Sequence, residues 1–116
     1  MNKARQEKLD KFRSSRQEPL RLAIALEEFF RPELESTARE VYEAYLKRRL
    51  RPAVAELIER EDLGHLEALH RLGWLGLQQV NDGIAHARRE KRTASLIWLL
   101  GVKDRDFGWQ DRDFSL

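Results

Sequence analysis

At 116 residues with 41% apolar side chains, the chain is long enough to bury one core and too short for a multi-domain enzyme. Charged residues make up 36%, but 22 Lys and Arg against 20 Asp and Glu leave a net charge of +2, which by itself selects no polyanionic partner. The chain has no cysteine, which excludes a disulfide framework, a thiolate metal site and a cysteine nucleophile. A charged start, Met1 to Arg5, and the lack of an apolar run of membrane length predict a soluble, cytoplasmic protein without a signal peptide or membrane span.

The β-branched residues are scattered singly among Leu, Ala, Glu and Arg, so the chain reads as all-α. Residues 1–16 form a basic helix whose only large apolar pair is Leu9 and Phe12. Pro19 in a first turn opens a second helix to about Phe30, with Leu20, Ala23, Ile24, Leu26 and Phe30 on one face and Pro32 ending it. From Glu33 to Leu50 the set Leu34, Ala38, Val41, Tyr42, Tyr45, Leu46 and Leu50 keeps amphipathic spacing over nearly five turns. A helix from near Pro52 carries Val54, Leu57 and Ile58, and another from about His65 to Leu72 carries Leu66, Leu69 and Leu72. Gly73 and Gly76 punctuate the chain before a helix from about Leu77 to Glu90. Thr93 is then the expected N-cap of a last helix running to Gly101.

A shift of 30 residues lays Leu50 on Val80, Val54 on Ile84, Ala55 on Ala85, Leu66 on Leu96 and Leu69 on Leu99. Leu20, Ile24 and Ala25 give a weaker echo upstream. This period suits helical hairpins that bury their apolar faces against neighbours, while any two amphipathic hairpins of similar length also align on a few aliphatic positions. The stretch Val80 to Lys103, VNDGIAHARREKRTASLIWLLGVK, resembles the second half of one ankyrin-type repeat running into the next. Over residues 53–103 the chain is similar to ankyrin-like and HEAT-like hairpin repeats, and it departs from ankyrin in lacking a Thr-Pro-Leu-His signature and a Gly-Ala-Asp finger turn. The resemblance implies a fold of stacked antiparallel helical hairpins that binds other macromolecules and carries no chemistry.

Constellations for catalysis are sparse. Glu67-Ala68-Leu69-His70 is an E-x-x-H on a helix, and Asp62 with His65 lies just before it. A di-iron bundle needs two such motifs and two more inward carboxylates, so solvated polar positions are the plainer reading of these residues. His86 sits on the flank of its helix and receives no role. No Gly-rich loop or G-x-S-x-G occurs, and the paired hydroxyls Ser14, Ser15, Ser36, Thr37, Thr93 and Ser95 suit caps and linkers. The expectation is a chain that is not an enzyme and binds no cofactor or metal.

Charge comes in blocks. Residues 1–16 hold six cations against two acids, residues 27–43 hold six acids against Arg31 and Arg39, and basic clusters recur at 47–51 and 88–92. Lys3, Lys8, Lys11, Arg48, Arg49, Arg88, Arg89 and Arg92 could contact the phosphates of RNA or DNA. Alternatively, the two later clusters face helix C-terminal dipoles, and the acidic blocks complement the basic ones.

The run Ala94 to Leu100 is apolar around most of its circumference and needs covering on more than one side. Beyond it Phe107, Trp109, Phe114 and Leu116 alternate with Asp104, Asp106, Asp111 and Asp113. This tail either caps Ile97 and Trp98 or docks to a partner.

The expected organisation is a basic N-terminal helix or arm at 1–18, a helical-hairpin domain at 19–103 and an irregular acidic-aromatic tail at 104–116, with five to seven helices in all. The expected function is a non-catalytic protein–protein interaction module, an adaptor or assembly subunit. Its partner would be another protein or a second copy of the chain, and Ile97, Trp98, Phe107, Trp109 and Phe114 would form the interface. The alternative is a helical subunit that binds nucleic acid through the basic clusters.

Overall fold

A computed structural model describes residues 2–108 as seven α-helices, with no strand among them. They are α1 (Lys3–Ser14), α2 (Glu18–Glu28), α3 (Ser36–Arg48), α4 (Leu50–Glu59), α5 (Leu63–Arg71), α6 (Leu77–Arg89) and α7 (Thr93–Asp106). The chain divides into two compact units, residues 1–53 and residues 54–116. The all-α class and the number of helices are those the sequence predicts. Among the described residues no helix is long and apolar enough to cross a membrane.

In the first unit, α1 starts where the Asn2 side chain accepts the Arg5 amide at 2.9 Å and relieves one of the helix's orphan donors. Its two large apolar residues, Leu9 and Phe12, are both buried. The Phe12 ring meets Tyr42 and Tyr45 of α3 edge-to-face, each at 5.0 Å between centroids, and the Arg21 guanidinium lies 4.6 Å from the same ring. Thus Phe12, with Leu9, anchors an otherwise polar helix.

The third helix begins at Ser36, later than the periodicity predicts. Pro32 and a turn in which the Leu34 amide reaches the Arg31 carbonyl (3.2 Å) delay it, although Leu34 itself is buried. Arg39 then donates to the carbonyls of Phe29 and Arg31, both at 2.7 Å, so a side chain of α3 satisfies acceptors at the end of α2.

In the second unit, α4, α5 and α6 end alike. The Asp62, Trp74 and Arg92 amides bond back to Leu57, Leu69 and Ala87, and the Glu61, Gly73 and Lys91 amides to Ile58, His70 and Arg88. Each is a Schellman ending, which needs a left-handed residue just beyond the helix. Gly73 supplies it at φ +80°, whereas Glu61 and Lys91 adopt it at φ +50° and +57° as non-glycine residues. These two strained residues are 30 positions apart, the same offset that relates the apolar patterns.

Two sequence expectations for α7 need correction. Thr93 is its first helical residue, not its cap; the position before it, Arg92, gives no side-chain cap, and the Ser95 amide is accepted instead by Glu61 Oε2 at 2.9 Å. The helix also runs through Gly101 to Asp106, because Val102 beyond the glycine is fully buried and rewards continuation. Ser95, expected as a cap or linker hydroxyl, is buried and donates to the Ile58 carbonyl at 3.2 Å.

Candidate interaction surface

The seventh helix is two-faced. Ser95, Leu99 and Val102, at i, i+4 and i+7, are its buried stripe. Ile97 points the other way and is 65% exposed, the most exposed large apolar side chain among the described residues. Ala94 beside it on the same helical face is exposed as well. Trp98 is half-buried, its ring edge-on to His70 of α5 at 6.1 Å, and Phe107 is half-buried at the C-cap of α7. Trp109 and Phe114, the other two expected interface residues, lie outside the described residues.

The stripe is fixed by close contact. A Cβ at Gly83 of α6 would stand 3.2 Å from Leu99 and 3.3 Å from Ile58, so a glycine lets three helices meet. Around that contact lies a polar clamp that periodicity does not reveal. Glu59, the last residue of α4, accepts Arg92 through Nε and an Nη at 3.1 and 2.8 Å and meets His86 Nε2 at 2.9 Å. An Nη of Arg89 lies 3.2 Å from His86 Nδ1. Arginine can only donate, so Nδ1 is the acceptor and the imidazole proton sits on Nε2, facing the carboxylate. The Arg92 hydrogen bonds first, then that of His86, hold the Glu59 carboxyl below the ordinary carboxylate range. His86, unassigned from sequence, therefore ties α6 to α4.

The E-x-x-H residues are engaged separately. His70 Nε2 pairs with Asp106 at the end of α7, and Glu67 with Arg71 at 3.3 Å. Asp62 caps α5 by accepting the His65 amide at 3.2 Å and meets the same histidine's Nδ1 at 2.7 Å. Among the described residues no three metal-ligating side chains gather.

The eight candidate phosphate-binding cations split evenly. Lys8 pairs with Glu27 and Arg49 with Glu18, each at 3.5 Å, while Arg89 and Arg92 belong to the clamp. Lys3, Lys11, Arg48 and Arg88 are exposed and make no ion pair among the described residues. Lys3, Lys8, Lys11, Arg48 and Arg49 belong to the first unit, and Arg88, Arg89 and Arg92 to the second.

The first unit also holds a charge that the sequence did not single out. Glu28 is fully buried, with Arg5 Nε 2.7 Å from Oε1 and Arg31 Nε donating to Oε2 at 2.8 Å. The Arg5 N–H is not aligned with the carboxylate, so charge rather than a directed hydrogen bond joins that pair. The nearby Tyr42 hydroxyl is buried with no hydrogen-bond partner among the described residues, and burial, then the Glu28 charge, pushes its pKa up to about 12.

No protein-family model, curated protein or solved structure matches this chain.

Proposed function

We propose that the chain is a non-catalytic protein–protein interaction module, a small adaptor or assembly subunit, and that the outer face of α7 is a contact surface. The observation that carries this reading is Ile97, 65% exposed on a helix whose opposite stripe is buried. A large apolar side chain held out from a rigid helix, with a half-buried tryptophan beside it, has the composition of an interface anchor. We further read α4/α5 and α6/α7 as copies of one helical unit. Helix ends placed 30 residues apart, with the same hydrogen bonds and the same left-handed residue, support that reading.

The nucleic-acid alternative keeps four exposed cations, Lys3, Lys11, Arg48 and Arg88. It comes second because the other four candidates already have acidic or imidazole partners.

The test is photocrosslinking from position 94, one turn from Ile97, in cells that naturally make the protein. A discrete protein adduct that disappears in Ile97→Asp, with thermal unfolding unchanged, is the expected result. Adducts to nucleic acid, or a protein adduct indifferent to Ile97→Asp, would sink the proposal.

A further inference from the structure

Within the second unit, three residues at the end of α4, the first helix of the first pair, hold the second pair. Ile58 gives its carbonyl to Ser95 and its side chain to the Gly83 contact, Glu59 takes Arg92 and His86, and Glu61 caps the Ser95 amide. The matched Schellman turns fix what stands at the same places on the second pair. Thirty residues on, Ile58 becomes Arg88, Glu59 becomes Arg89 and Glu61 becomes Lys91.

The burial follows the substitution. Ile58 is fully buried, whereas Arg88, Arg89 and Lys91 are all exposed. A side that is an apolar contact between two carboxylates in the first pair is thus a row of cations in the second. We propose that this side of α6/α7 docks an acidic protein segment, a helix end or turn that brings at least two carboxylates. This deepens the interaction-module reading and rests on it in requiring a protein partner and in matching α6/α7 to α4/α5.

Charge complementarity selects the occupant. In the first pair the presenting side supplies the acids and the receiving side the Arg92 guanidinium and His86 imidazole. In the second the presenting side supplies cations, so the carboxylates must come from outside. Arg88 and Lys91 make no ion pair among the described residues, and Arg89 is only 3.9 Å from Glu90 beyond its contact to His86. Arg88 and Lys91, the two cations of the row that make no ion pair among the described residues, match two carboxylates, with Arg89 held beside them by His86. A nucleic-acid backbone, whose binders commonly neutralise about 6–10 phosphates, would find a short footprint interrupted by an acid.

The experiment titrates the isotope-labelled full chain with a synthetic helical peptide of alternating Glu and Ala and, separately, with a short single-stranded RNA, following backbone amide shifts. The expected result is peptide-induced shifts centred on Arg88 to Arg92 that fade with added salt. Affinity should fall about tenfold or more in Arg88→Glu, as expected when an interfacial charge is reversed. Lys91→Asn, which tolerates the left-handed turn, should weaken binding without loss of fold. No shifts at low salt, shifts centred elsewhere, or stronger shifts of the same amides by RNA would each overturn the proposal. Ile97→Asp should leave peptide binding intact; binding lost there and kept in Arg88→Glu would also overturn it. Failure of the crosslinking experiment at α7 is a separate result and removes the interaction-module reading itself.

Discussion

In the first unit one of the carboxylates that join elements, Glu28, is fully buried between the Arg5 and Arg31 side chains, beside the partly exposed Glu18 and Glu27, whereas in the second unit the joining carboxylates Glu59, Glu61 and Asp106 all stand at helix ends with part of each side chain in solvent. A buried charge without its partners is costly because water cannot replace them, while a charge at a helix end exchanges partners for water at little cost. The first unit should therefore be brittle to one substitution and the second tolerant of several.

The strongest break of that comparison is Glu28→Ala. It leaves the largely buried Arg5 guanidinium without its nearest carboxylate. Stability should fall by about 3 kcal/mol, the lower end for breaking a buried pair, which is a large share of the 5–15 kcal/mol typical of a domain. Urea unfolding measures the loss, and hydrogen exchange should place it in α1 and α2. A change below about 1 kcal/mol would mean that Glu28 behaves as a surface group.

A gentler pair of variants sharpens the comparison within the second unit. Glu61 and Lys91 adopt the same strained left-handed backbone, but Glu61 caps Ser95 and Lys91 caps no helix among the described residues. Lys91→Gly should stabilise by about 1 kcal/mol by removing the strain. Glu61→Gly gains the same relief and loses a cap of about 1 kcal/mol, so its net effect should be near zero. Equal gains at both positions, seen by urea or thermal unfolding, would show that the Glu61 cap contributes nothing.

How much of this was legible in the sequence depends on the range of the interaction. The seven helices were readable because spacing and breakers act locally: Leu9 with Phe12, the stripe Ala38, Tyr42 and Tyr45, and Gly73 all fall where periodicity or backbone freedom puts them. The α7 start was misjudged because its cap comes from Glu61, 34 residues earlier, which no local pattern signals. Its end was misjudged because burial of Val102 outweighs the low helix propensity of Gly101. Glu28 and His86 sit among charges in sequence, and only folding brings Arg5 to the one and Glu59 to the other. Ile97 was singled out for its apolar surroundings, but its exposure depends on which face of α7 the Gly83 contact selects.

The smallest expected effect concerns Glu59 and follows from acid. Its folded carboxyl titrates below the ordinary 4.5 because Arg92 and then His86 bond its charged form. A group with a depressed folded pKa adds stability above its unfolded pKa and loses it as pH falls through the folded value. The stability difference between the native chain and Glu59→Gln should therefore shrink as pH falls below 4.5. Added salt should shrink it too, since Glu59 and Arg92 are both partly exposed and their pair is screened. Thermal unfolding of both proteins across that pH range reads the effect. Parallel curves down to the acid limit would show that the Glu59 charge does not help to hold α4 to the second helix pair, leaving the Ile58, Gly83 and Leu99 contact and the Ser95 hydrogen bonds to do so alone.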